Sequence, residues 1–306
     1  MRIEITIKEC DMKRAVLLLL SLTLLGGIAL ASGQQEGVVQ VAAQDVNETV
    51  ILAHMASQII EAKTPYETTV NTNFAASSVL HQGMEGDEID VYPTWTGTQL
   101  TGILRYEGPN MGTMETWEYV KEGFEENFGY TWSRPLGFNN TYIMVVTEER
   151  AEELGLEKAS DLGEYAEDWK LAGDENFDVR PDAYPGWSEA YGIEFKEVIT
   201  MQYSLLYRAV DTGEVEVAAA YSTDSRIPKL GLTTLPDDKE FFPAYSGAYV
   251  VSDEVQEDYP EVIEALNLLG DRIPTDTMAA LNSRYDDGED PEVIARDFLT
   301  ENGFLE

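Results

Sequence analysis

The sequence predicts an α/β fold with mostly parallel sheets, and three observations carry that expectation. Short apolar runs alternate with amphipathic stretches of helix length along the 306 residues, the pattern of strands separated by helices. The chain has no internal repeat and no low-complexity block. Residues 89–98, Ile-Asp-Val-Tyr-Pro-Thr-Trp-Thr-Gly-Thr, read as a buried strand that stops at Pro93, because proline has no N–H for the ladder, and then opens into a loop. That loop offers the Trp95 ring and three threonine hydroxyls around Gly97. Ligands of open α/β sheets sit at the carboxyl ends of strands, so Trp95 is a ligand candidate. On this segment alone it serves equally well as a plug of the core.

The elements follow in order. Residues 38–43 form an apolar strand, and Asn47 is placed to cap a helix running to about Lys63, with Ile51, Met55 and Ile59 on its buried stripe. Thr64-Pro65 ends it, and residues 66–71 alternate like a strand. A short helix at 77–86 turns Val79, Leu80 and Met84 inward. The helix expected at 114–128 carries Trp117, Val120, Phe124 and Phe128 on one face, and Gly129 closes it. Strands are expected at 143–146, 170–173, 215–220 and 248–251, and a helix at 201–211. Ser160 caps a short helix, and 174–185 is an irregular loop. The last third is helical, at 260–269, 275–281 and 291–302.

The charge is extreme, with 57 Asp+Glu against 20 Lys+Arg and a net charge of -37. Nucleic acid is excluded as a partner, since phosphate binding needs clustered cations. The carboxylates are spread over the whole chain, which fits a solvated surface adapted to high salt, where self-repulsion is screened. The melting temperature is therefore expected to rise from low to molar salt. A flat or falling melting curve over that range would contradict the salt adaptation.

The N-terminus has the composition of a secretory signal: Lys13-Arg14, an apolar run at 15–25, then Ala29-Leu30-Ala31. Residues 1–31 are read as that segment, with Met12 a plausible true start, and 32–37 as a linker. The single cysteine, Cys10, precedes the signal, so the mature chain is expected to hold neither a disulfide nor a cysteine metal site.

Catalytic motifs are weak. His54 and His81 lie on separate expected helices with no cysteine partner, so no metal or other cofactor is expected. Gly186-Trp187-Ser188 is half a nucleophile elbow without its second glycine or a preceding strand. Asp237-Asp238 has the makings of a glycosidase pair, but any acidic pair arises by chance among 57 carboxylates. What remains is aromatic: Trp95, Tyr142, Tyr221 and Tyr245 all fall at loop–strand junctions beside small polar residues. Electron-rich faces around one point suit a quaternary ammonium, which cannot donate hydrogen bonds. Against this, 16 tyrosines and 5 tryptophans scatter through any fold.

Five segments together resemble the substrate-binding proteins of ABC importers for glycine betaine, choline and carnitine. They are Val41-Ala42-Ala43-Gln44, residues 90–98, residues 135–142, Tyr221-Ser222-Thr223-Asp224-Ser225-Arg226, and Phe241-Phe242-Pro243-Ala244-Tyr245. The resemblance spans residues 38–304. It implies a two-lobed periplasmic-binding-protein fold of type II, each lobe a mixed, mostly parallel sheet flanked by helices. Lobe 1 would comprise 38–139 plus 246–306, and lobe 2 would comprise 140–245. It places an aromatic box on Trp95, Tyr142, Tyr221 and Tyr245, and ligand-carboxylate contacts on Gln44, Thr98 and Arg180. Family members usually carry tyrosine where Trp95 stands, and lysine is an alternative where Gln44 stands. The resemblance implies a non-enzymatic, exported monomer that delivers glycine betaine to a membrane permease. Choline or carnitine is the alternative ligand, and a secreted enzyme is the alternative class.

Overall fold

The computed structural model describes residues 37–305 apart from 175–176 and 179–182. The signal segment and linker up to residue 36, and Arg180, lie outside the described residues. Among the described residues no helix is long and apolar enough to cross a membrane.

In chain order, the elements up to the first crossover are β1 (Val38–Gln44), α1 (Asn47–Lys63), β2 (Glu67–Phe74), α2 (Ser77–Glu85), β3 (Val91–Trp95), α3 (Thr96–Gly102), α4 (Thr113–Phe128) and β4 (Thr131–Trp132). Then come β5 (Tyr142–Thr147), α5 (Glu148–Leu154), β6 (Lys170–Gly173), α6 (Tyr184–Tyr191), β7 (Glu197–Thr200), α7 (Tyr203–Asp211), β8 (Val217–Tyr221), α8 (Arg226–Lys229) and β9 (Leu232–Leu235). The chain closes with β10 (Gly247–Val251), α9 (Asp253–Asp258), α10 (Glu261–Asn267), α11 (Thr275–Asp286) and α12 (Pro291–Glu301).

These strands make two five-stranded sheets, β2-β1-β3-β10-β4 and β7-β6-β8-β5-β9. Both are mixed. The antiparallel share is larger than strand–helix alternation suggests, because the strand that follows each crossover sits inside a sheet against the direction of its neighbours. β10 runs antiparallel to β3 and β4, and β5 runs antiparallel to β8 and β9, while β1–β3, β6–β7 and β6–β8 are parallel.

The helices are where the apolar stripes put them. Ile51, Met55 and Ile59 of α1 are fully buried in one core with β1, β3 and the C-terminal helices, each such side chain contributing about 1.5–3 kcal/mol by leaving water. Val120 and Phe124 bury the face of α4 in a second cluster, and Gly129 ends that helix in the left-handed region at φ 79°. Asn47 is one residue further in than a cap: its Oδ1 accepts the Glu48 N–H at 2.8 Å, and Val46 takes the capping position.

Two expectations about residues 89–98 need correction. The strand does not stop at Pro93, which lies in the middle of β3 opposite Tyr249. Tyr249 sends its N–H to Ser133 Oγ and takes the Ser133 N–H on its carbonyl, so this pair exchanges no backbone bonds. The side of Pro93 that lacks a donor therefore faces β1, whose register with β3 is recorded at Val41 and Val91. The stretch after Trp95 is not a loop but α3, which begins at Thr96.

The weak catalytic motifs are spent on structure. Ser188 lies inside α6 and donates to the Ile193 carbonyl. Asp237 accepts from the Tyr191 hydroxyl and the Phe242 N–H, and Asp238 takes both the N–H and the hydroxyl of Ser160. His81 is buried edge-on among Phe124, Phe128 and Tyr130.

Candidate functional site

Two strand registers assemble the aromatic lining. Trp95 at the end of β3 stands opposite Gly247 at the start of β10, so the residues before β10 run past the first turn of α3. There the Thr96 hydroxyl donates to the Ala244 carbonyl at 2.8 Å, and the Tyr245 N–H donates to Asn139 Oδ1 at 2.6 Å. Gly97 admits the Tyr245 ring: a Cβ at this position would stand 2.7 Å from it. On the other sheet the β5–β8 register sets Tyr142 opposite Tyr221, with ring centroids 4.9 Å apart.

The two ring pairs face one cavity of about 600 Å³, within the usual range for small-ligand sites. Its walls include Trp95, Tyr142, Tyr221 and Tyr245 together with Gln44 and Thr98. The six described residues singled out in the sequence thus lie around one space. Gln44 ends β1, and its Oε1 accepts the Ser77 hydroxyl at 2.7 Å. Thr98 lies in the first turn of α3.

The same walls hold residues that sequence reasoning passed over: Glu48, Asn140, Asp174, Tyr203, Asp224 and Asn282. Glu48, in the first turn of α1, is 1% exposed. Its Oε1 accepts from Trp95 Nε1 at 2.5 Å and Asn140 Nδ2 at 3.2 Å, and its Oε2 accepts from Asn282 Nδ2 at 3.3 Å. Burial pushes its carboxyl above the ordinary value, and the hydrogen bonds from Trp95, Thr223, Asn282 and Asn140 oppose that rise. The Tyr221 hydroxyl donates to Asp174 Oδ2 at 2.8 Å, and its oxygen lies 3.2 Å from that of Tyr142. Burial raises the Tyr221 phenol first and its neighbours Tyr142 and Asp174 raise it further, so it stays neutral.

Asp224 accepts from the Tyr203 hydroxyl and holds Arg226 by two guanidinium bonds, Nε at 2.9 Å and Nη2 at 2.5 Å. Burial alone would raise the Asp224 carboxyl, but the bonds from Arg226 and Tyr203 outweigh it and hold it below the usual range. Arg226 also lies over the Tyr203 and Tyr207 rings, at 4.4 and 4.2 Å from their centroids. Its charge is therefore committed within the wall. No lysine or arginine is among the described residues that line the cavity.

Residues 37–301 match the family model of the substrate-binding domain of the ABC-type glycine betaine transport system. The chain belongs to this family. Its relatives are substrate-binding proteins of transporters, not enzymes. The chain is similar to the carnitine transport binding protein OpuCC of Listeria monocytogenes, 33% identical over 297 residues that cover 95% of this chain and 96% of that one. It is also similar to the glycine-betaine-binding protein of Pseudomonas aeruginosa, 30% identical over 292 residues, 92% of this chain and 93% of the other. Among solved structures it resembles the crystal structure of a glycine betaine/carnitine/choline ABC transporter protein, with a TM-score of 0.82 and 33% identity over 88% of this chain and 100% of the other. The two mixed sheets with flanking helices are accordingly those of the two-lobed periplasmic-binding-protein fold.

Proposed function

We propose that this family member captures a quaternary-ammonium compatible solute, glycine betaine, and presents it to the permease of an ABC importer outside the cytoplasmic membrane. The observation that supports this most is the convergence of Trp95, Tyr142, Tyr221 and Tyr245 on one cavity. A trimethylammonium head has spread positive charge and no N–H, so ring faces satisfy it where hydrogen-bond acceptors would not. Each such contact contributes about 0.5–2 kcal/mol, more when water is excluded.

Residues 38–139 with 246–306, and residues 140–245, act in this reading as the two lobes that close on the ligand. Gln44 and Thr98 donate to its carboxylate, and Arg180 adds a full charge from the second lobe. The protein works as an exported monomer, and its acidic surface suits the salt that makes such solutes necessary. The relatives named for carnitine and choline keep those two ligands as the second reading. Calorimetric titration should give a dissociation constant for glycine betaine in the micromolar range or below, about -8 kcal/mol. Folded protein that gives no heat with glycine betaine, choline or carnitine would end the proposal.

The carboxylate contact has its own test. A charge-assisted bond is worth about 1.5–3 kcal/mol, so Arg180→Ala should weaken glycine betaine roughly tenfold or more. Choline, which has no carboxylate, should lose much less. Equal losses would mean a general defect in closure, and no loss would remove Arg180 from the site.

A further inference from the structure

Three rings of the cavity end on carboxylates. Trp95 Nε1 donates to Glu48, the Tyr221 hydroxyl to Asp174, and the Tyr203 hydroxyl to Asp224. All three acids are buried and line the cavity, with exposures of 1%, 8% and 5%. The Asp224 charge is cancelled by Arg226 at 2.5 Å. Glu48 and Asp174 have no ion-pair partner among the described residues. Glu48 accepts from the Trp95 indole, the Asn140 and Asn282 amides and the Thr223 side chain, and Asp174 accepts from the Phe177 backbone N–H and the Tyr221 hydroxyl.

We propose that Glu48 and Asp174 are specificity-determining residues: they fix the Trp95 and Tyr221 rings and put negative charge behind them, so that the cavity selects ligands by the positive charge of the head group. This rests on the quaternary-ammonium reading of the cavity and adds what sets its preference. A ring whose N–H or O–H leans on a carboxylate carries more electron density on its face, and a cation attracts to that face electrostatically. The carboxylates also act on the cation directly, and because both are buried, solvent screens them less than it would at the surface. The Glu48–Trp95 bond depends on an indole N–H, so tryptophan at this position and glutamate at the start of α1 form one device. Asn140 and Asn282 complete it by orienting the carboxylate from the approach to β5 and from α11.

The test compares glycine betaine with neohexyl alcohol, in which a carbon replaces the charged nitrogen of a choline-like skeleton. Affinities are measured by calorimetry, directly for betaine and by competition for the alcohol, in the native protein, Glu48→Gln and Asp174→Asn. Both substitutions keep shape and an acceptor oxygen while removing charge. Each variant should lose about tenfold in betaine affinity and leave the alcohol unchanged, so that the ratio between the two collapses. Equal losses for both ligands would mean that the carboxylates only hold the structure, and unchanged betaine affinity would mean that they do nothing; either result overturns the proposal. Should Glu48→Gln fail to fold, Asp174→Asn carries the comparison alone. A native protein that ignores every quaternary ammonium defeats the functional reading itself, and this inference with it.

Discussion

Trp95→Ala should lower the affinity for glycine betaine by about 30-fold, equivalent to about 2 kcal/mol. The substitution removes the largest ring of the cavity wall and the best of the cation–π partners. It also strips Glu48 of its shortest hydrogen bond, the 2.5 Å contact from Nε1, and leaves that buried carboxylate on the two asparagine amides. Trp95→Tyr should cost much less, because it restores a π face and the residue usual in the family. Tyr142→Ala, Tyr221→Ala and Tyr245→Ala should each weaken binding in the same titration. Trp95 packs against the first-sheet core while only partly buried, so the empty Trp95→Ala protein should still melt cooperatively. Normal betaine affinity in Trp95→Ala, with a large loss of stability, would make Trp95 a core residue and nothing more.

Gly97→Ala should damage both the fold and the site. The added Cβ would stand 2.7 and 2.8 Å from carbons of the Tyr245 ring and 2.9 Å from the Ala244 carbonyl oxygen. The carbonyl cannot retreat cheaply, since it accepts the Thr96 hydroxyl, and the Tyr245 backbone is held by Asn139. The ring must therefore swing out of its place on the cavity wall, or α3 must lift from the loop before β10. Overpacking of this kind costs about 1–3 kcal/mol, and betaine affinity should fall about tenfold or more as one of four faces is displaced. Gly102→Ala in the same helix is the control: nothing lies within 4 Å of its added carbon, so stability should hold or rise slightly. A Gly97→Ala protein that melts and binds like the native one would show that Tyr245 is not pinned as described.

Much of this was legible in the sequence where one local signal decided the outcome. α1 follows from its buried stripe and α4 from its stripe and closing glycine. The four rings that line the cavity stood out because each sits at or just beside a strand end, where side chains project past the sheet. The stretch after Trp95 misled because proline, glycine and three threonines suggest a loop, whereas tertiary contacts from Thr96 to Ala244 and Ser246 start a helix there. Pro93 misled because its position within the ladder depends on which neighbouring strand faces its missing N–H, a question of register rather than composition. β4 has only two residues and β9 four, too short for periodicity to mark them. Glu48 and Asp174 were hidden by number: among 57 Asp and Glu, nothing local separates a buried carboxylate from a solvated one. Their signal is relational, a carboxylate beside an indole N–H or a phenol, and only the folded chain brings these together.

A crystal structure of the protein with glycine betaine bound tests the aromatic cavity most directly. The quaternary nitrogen should lie within about 6 Å of the ring centroids of Trp95, Tyr142, Tyr221 and Tyr245, with the carboxylate turned toward Gln44 and Thr98. A nitrogen seated away from these rings, while they keep their present packing, would contradict it.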